Sequence, residues 1–206
     1  MSKSNQSHLI LAQGAGADSQ SEFMQIMSFK IAEQGIQVHL FDFPYMIKRQ
    51  EDGKRRPPDR APKLIESFKQ QVENLIEQYG SDIDIYIGGK SMGGRMASLL
   101  LAEHPELPIK GGIGLGFPFH APGKEPKNRL DHFPSIVHPF LFIQGERDTM
   151  GNKEEVTGYT LPKQSQLVWL EDGNHDLKPR VKSGFTHEQH LQAAVDAVVA
   201  FVLGKQ

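Results

Sequence analysis

Cysteine is absent from all 206 residues. That excludes disulfides, thiolate zinc sites and a cysteine nucleophile, and it fits a reducing compartment. A surplus of one charge is also missing. Lys and Arg number 23 against 25 Asp and Glu, a formal net charge of -2, so nothing global draws the chain to nucleic acid or an anionic membrane. Long apolar runs are missing too. The polar start Met1-Ser2-Lys3-Ser4-Asn5-Gln6-Ser7 leads only into Leu9–Ala12, too short for a signal-peptide core. No stretch approaches the ~20 apolar residues of a membrane-spanning helix. There is no internal repeat and no low-complexity tract. The expectation is a cytoplasmic protein of one domain, residues 1–206 with 1–7 as a flexible N-terminus. A chain of this length buries about 70% of its unfolded surface.

What is present is a series of short apolar runs: 8–12, 37–43, 83–88, 112–117, 139–144 and 166–170. Several are apolar at consecutive positions, as a parallel strand covered on both faces requires. Helical patterns lie between them, over 21–34, 63–79, 93–104 and 187–203, with a short one at 151–157. This alternation predicts an α/β fold: a doubly wound, mostly parallel sheet of about six strands, without a separate lid domain. Two long connections, Pro44–Pro62 and Pro118–Val137, leave the carboxyl edge of the sheet, where both can border a site.

The run 83–88 ends in Gly89-Lys90-Ser91-Met92-Gly93 and continues into a helical pattern. Strand, sharp turn and helix with serine at the tip resembles the nucleophile elbow of α/β-hydrolases. Glycine two positions either side of Ser91 removes side chains that would clash at such a turn. The competing explanation is a structural Gly-rich turn, but two further residues fall in the right order downstream. An acyl-transfer site needs a histidine to take the serine proton and a carboxylate to hold that histidine. Asp148 follows the run 139–144, although it also suits the cap of a helix starting near Gly151. Glu146 is the reserve acid. His175 follows the run 166–170, whereas His187 and His190 read as early positions of the last helix. Asp172 and Asp176 flank His175 too closely to reach the far side of its ring.

An oxyanion hole needs two backbone N–H groups. Met92, after the nucleophile, supplies one. Ala15 in Gln13-Gly14-Ala15-Gly16-Ala17, after the first strand, supplies the other. That stretch also begins like a dinucleotide-binding loop, but position 19 is Ser rather than Gly, and only Asp42 ends the second strand with an acid. Between Pro44 and Lys63 the chain carries seven cations (Lys48, Arg49, Lys54, Arg55, Arg56, Arg60, Lys63) against Glu51, Asp52 and Asp59. This is either a solvated charged loop or a place where Arg49 or Arg56 binds an anionic part of the substrate. His120, Lys124, Arg129 and His132 in the second connection are placed to face the cleft. No spacing fits a metal site.

The chain resembles a family of small α/β-hydrolase-like proteins, distantly similar to dienelactone hydrolases. That family includes many uncharacterised bacterial proteins, an animal testis-expressed protein and a domain in a non-specific-lethal acetyltransferase complex subunit. The resemblance spans Leu9 to about Val202 and rests on residues 11–17, 43–46, 55–58, 89–95, 116–124 and 145–148. It implies the α/β-hydrolase fold, the triad Ser91, Asp148 and His175, and a site region that includes His120 and Arg55-Arg56-Pro57-Pro58. Relatives usually carry His where this chain has Gln13, which can also hydrogen-bond there. The combined expectation is a serine hydrolase for a small ester or thioester, with a small-molecule acyl substrate, no cofactor, and no nucleic-acid or membrane partner. The alternatives are a non-catalytic binding or scaffold module on the same fold, and a serine peptidase.

Overall fold

The computed structural model describes Gln6–Gly204, apart from the Lys127 side chain. Six strands form one sheet: β1 (Ser7–Ala12), β2 (Gln37–Phe41), β3 (Asp84–Lys90), β4 (Ile109–Leu115), β5 (Phe140–Gly145) and β6 (Ser165–Leu170). Every neighbouring pair is parallel, in the spatial order β2-β1-β3-β4-β5-β6. Parallel neighbours need crossovers. These are supplied by α1 (Glu22–Ala32), α2 (Pro44–Asp52), α3 (Ala61–Tyr79), α4 (Met92–Glu103) and α5 (Lys153–Thr157), and α6 (His187–Leu203) closes the chain.

Successive side chains on a strand point to opposite faces, and here both faces are buried. Ile10, Ile85, Ile87, Phe140 and Phe142 pack on one side with Leu64, Phe68 and Val72 of α3 and Met96 and Leu100 of α4. Leu9, Leu11, Ile113, Leu141 and Ile143 pack on the other with Met27 and Ile31 of α1 and Val195 and Val198 of α6. The consecutive apolar residues read in the sequence are therefore two interleaved sets, each serving one layer of helices.

The strand order reverses between β1 and β3, the place where a doubly wound sheet opens a crevice at its carboxyl edge. The two loops that flank this opening are residues 13–17, after β1, and the turn at Ser91, after β3.

Several boundaries differ from the sequence reading. β3 runs on through Gly88 and Gly89 to Lys90, and β4 begins at Ile109 rather than Gly112. Glycines carry no apolar signal, yet at Gly111 and Gly112 they leave room for the rings of Phe201 and Phe140. The Pro44–Pro62 connection is not a loop throughout, since its first half is α2. Pro44 starts that helix, a position where proline's missing N–H costs nothing. Tyr45 and Met46 bury its inner side, and Gly53, left-handed at φ 68°, ends it. The second connection holds only short turns at 127–129 and 133–135, pinned by Phe117, Phe119 and Phe133 against Phe142. The helix near Gly151 is capped by Asn152 and Glu155, not by Asp148. Ser7 is buried as the first residue of β1, so it is not part of a flexible N-terminus; residues 1–5 of that predicted segment lie outside the described ones. Among the described residues no helix is long and apolar enough to cross a membrane, and no group of three or more His, Asp or Glu is placed to hold a metal ion.

Candidate active site

Ser91 sits at φ 51° and ψ -114°, a backbone conformation that is costly for any residue with a Cβ. The turn is held because its flanks are packed against the neighbouring strand. A Cβ at Gly89 would lie 2.5 Å from the Ala12 carbonyl oxygen, and one at Gly93 would lie 2.5 Å from the same atom and 2.7 Å from the Gln13 carbonyl oxygen. Ser91 N donates to the Leu115 carbonyl at 2.9 Å, which ties the elbow to β4. The hydroxyl is thereby presented at the amino end of α4.

The Ser91 Oγ lies 2.8 Å from His175 Nε2, and His175 Nδ1 lies 2.8 Å from Asp148 Oδ2. A carboxylate only accepts, so Nδ1 carries the proton and Nε2 is free to accept from the serine. Asp148 is fully buried. Its Oδ2 also accepts from Gln144 Nε2 at 2.8 Å, and its Oδ1 accepts from Met150 N at 2.8 Å. Gln144 is itself locked, because its Oε1 accepts from Phe117 N at 2.7 Å and its Nε2 also faces the Phe117 and Gly151 carbonyls.

The loop carrying His175 is fastened at many points. Lys90, next to the serine, donates from Nζ to the His175 carbonyl at 2.6 Å and pairs with Asp176 at 3.2 Å. Burial pushes the Lys90 ammonium below the ordinary lysine range, against the opposing pull of Asp176 and Asp148. Arg147 Nε donates to the Asp172 carbonyl at 2.7 Å, and Asp172 is also clasped by Arg180. His190 Nδ1 donates to the Leu177 carbonyl and His187 Nε2 to the Asp176 carbonyl. Those two histidines therefore brace the loop rather than face the serine. Glu146, the reserve acid, accepts from Lys153 at 2.6 Å and from Asp172 N at 3.3 Å.

Across the elbow stands the 13–17 loop. Gln13 is buried, accepting from Phe43 N at 3.2 Å and reaching the Tyr45 hydroxyl at 3.4 Å. The Tyr45 hydroxyl lies 3.1 Å from the Ala15 carbonyl and 3.4 Å from that of Gly14, and burial raises its pKa to about 12, so it remains a donor. Asp42 accepts from the backbone and hydroxyl of Ser19, both at 2.8 Å, so the acid that a ribose would need is already engaged. A cavity of about 270 Å³ opens over the serine, walled by Ala15, Met92, Arg95, Pro118, Arg129 and Met150. Ala15 and Met92 line this cavity together with Ser91.

The alpha/beta hydrolase domain family matches residues 5–203. The chain belongs to the alpha/beta hydrolase family. Among solved structures it is similar to Est1E from Butyrivibrio proteoclasticus, with 16% identity over 98% of this chain and 89% of that one and a TM-score of 0.71. A dienelactone hydrolase from Anabaena variabilis has 18% identity, 93% and 85% coverage and a TM-score of 0.70. A monoacylglycerol lipase from Paleococcus ferrophilus has 13% identity, 95% and 96% coverage and a TM-score of 0.69. At such identities the likeness establishes the fold.

In this alpha/beta hydrolase the remaining expected site residues are scattered. Arg49, Arg55 and Arg56 line a separate hollow of about 420 Å³ beyond Gly16, which does not include Ser91. Arg56 pairs with Asp52 at 2.7 Å, leaving its Nη1 buried and unpartnered among the described residues. His120 does not face the cleft. It is buried between the Ala121 carbonyl, 2.9 Å from Nδ1, and Glu155, 3.2 Å from Nε2, because the aromatic anchors on either side of Pro118 turn its ring inward. His132 is likewise half-buried, against Ser98 Oγ at 2.8 Å. The sequence reading assigned no role to Lys90 or Gln144. Lys90 was visible within the elbow pentapeptide, whereas nothing in the pattern around Gln144 marks a glutamine that would turn under the acid.

Proposed function

We propose that this alpha/beta hydrolase is a serine hydrolase acting on a small ester or thioester through an acyl-enzyme. The observation that carries the reading is the unbroken hydrogen-bonded relay from Ser91 through His175 to Asp148, mounted on a strained elbow. Ser91 attacks the acyl carbon while His175 Nε2 takes its proton. The N–H groups of Ala15 and Met92 hold the developing oxyanion. His175 then returns the proton to the leaving alcohol or thiol, and a water activated by the same ring releases the acid. Asp148 keeps the tautomer and stabilises the imidazolium. Every step uses side chains and backbone of this chain, so the reading calls for no cofactor.

Short or polar substrates suit a cavity of about 270 Å³ without a lid domain over it. Arg49 and Arg56 are proposed as an outer anion contact and His120 as a support of the loop after β4. The resemblance to the small hydrolase-like family with a testis-expressed member rests on the same residues and carries no substrate with it. A fluorophosphonate probe tests the reading directly. Wild type is expected to be labelled and Ser91→Ala not. Well-folded wild type that resists labelling would favour a binding module on this fold.

A further inference from the structure

The cleft over Ser91 is walled on one side by two arginines, Arg95 on α4 and Arg129 on the turn at 127–129. Three guanidinium groups of this chain are neutralised by carboxylates, Arg56 by Asp52 and Arg147 and Arg180 by Asp172. Arg95 and Arg129 are not. Among the described residues neither has a carboxylate within ion-pair distance, Arg95 Nε is buried with no hydrogen-bond partner, and Arg129 makes one long bond, from Nη1 to the Pro118 carbonyl at 3.4 Å. The pair also borders an outer hollow of about 390 Å³ in which Glu125 pairs with neither of them and Lys124 keeps the rim cationic. Burial, and then the charge of Arg129, both press the Arg95 guanidinium downward in pKa.

Two like charges, one of them half-desolvated and short of a hydrogen-bond acceptor, are costly without a counter-charge. Guanidinium groups in this arrangement are matched by a planar oxyanion, which can accept from both forks at once. We propose that Arg95 and Arg129 form an anion subsite beside the nucleophile, and that the substrate is a short ester or thioester bearing a carboxylate a few bonds from the scissile carbonyl. This site is distinct from the hollow at Arg49 and Arg56, which lies beyond Gly16. Its kinetic test rests on Ser91 being the nucleophile, and its binding test does not.

The experiment compares anionic and neutral esters of matched length, with the acid on either side of the ester bond. Para-nitrophenyl monoglutarate is set against para-nitrophenyl valerate, and para-acetoxybenzoate against phenyl acetate. Wild type is expected to prefer at least one anionic member by tenfold or more in kcat/KM, and the preference ratio is expected to fall tenfold or more in Arg95→Met and Arg129→Met. Binding of monomethyl glutarate and methyl valerate to Ser91→Ala is measured by calorimetry in parallel, with and without Arg129→Met. Thermal midpoints form a third reading, since a ligand-binding arginine leaves Arg95→Met as stable as wild type or more so, and a structural one does not. Anion binding to Ser91→Ala without turnover by wild type would remove the hydrolase reading and leave the subsite standing. Turnover of neutral esters with no anion preference and no anion binding would overturn the subsite alone. A preference that survives both arginine substitutions would also overturn it.

Discussion

Replacing Lys90 by methionine separates what positions the histidine from what reacts. The Lys90 side chain is nearly sequestered from solvent, and its Nζ holds the His175 carbonyl at 2.6 Å and Asp176 at 3.2 Å. A hydrogen bond from a charged donor contributes about 1.5–3 kcal/mol. The ion pair adds little, because the Asp176 side chain is 67% exposed and water screens it, so about 0–1 kcal/mol is expected. Against these stands the relief of removing a buried ammonium. The net loss in Lys90→Met is therefore about 1–2 kcal/mol, a fall in melting temperature of roughly 2–8 °C for a chain of this size. The kinetic effect is expected to exceed the stability effect. With the backbone of His175 released on one side, the 2.8 Å approach of Nε2 to Ser91 is populated less often, and a misplacement of about 1 Å costs roughly 10²-fold. The loss should fall on kcat, with KM nearly unchanged, for a neutral chromogenic ester. Asp176→Asn, which spares the carbonyl bond, should lose less than threefold. If Lys90→Met kept wild-type kcat, or if Asp176→Asn matched it, the carbonyl clamp would be refuted as the positioning device.

Gln144→Leu keeps the volume of the side chain but strips a donor from Asp148 and a partner from Phe117 N; the expected cost is about 3–5 kcal/mol by chemical denaturation, with kcat down at least tenfold. Tyr45→Phe retains the ring in the core and removes only the hydroxyl under the Ala15 carbonyl, so about 1 kcal/mol or less of stability should go while kcat falls several-fold and the fluorophosphonate labelling rate with it. His132 is held down to about 4 by burial and by the neighbouring Arg95 charge. Between pH 6.5 and 4 the unfolded chain binds a proton at this position that the folded one refuses, so stability falls as pH drops through that window. Screening by solvent limits the effect to about 1–2 kcal/mol, and His132→Asn should show a shallower acid limb than wild type in urea midpoints taken across the window. Parallel limbs would show that the ring does not resist protonation.

The sheet was legible because its strands are buried on both faces, and a double-sided apolar run such as Leu9–Ala12 or Phe140–Ile143 has few other uses in a chain of this length. The elbow and the two residues that join it were legible through chain order, since an acid after β5 and a histidine after β6 fall where a shared carboxyl edge puts them together. Helix α2 was not, because Pro44 reads as loop punctuation until the burial of Tyr45 and Met46 is known. His120 was misjudged for a similar reason. Its place in a connection that leaves the carboxyl edge suggested that it faces the cleft, whereas Phe117 and Phe119 draw that segment into the core. Arg95 was hidden differently. On a helical wheel it is one more cation, and only in three dimensions do its unpartnered, buried Nε and its place in the wall of the cavity over Ser91 come to light.

The relay closes over a large loop in the chain. Ser91 and His175 are separated by 84 residues, and the strands between them must all be paired before the two side chains meet. Closing contacts of such sequence separation is the slow part of assembling a parallel sheet. During refolding, β1, β3 and β4 can pair and shape the elbow before β6 docks at the far edge and delivers the imidazole. On the proposed mechanism catalytic competence is therefore a late event, and a chain emerging from synthesis holds the Ser91 turn with no histidine beside it.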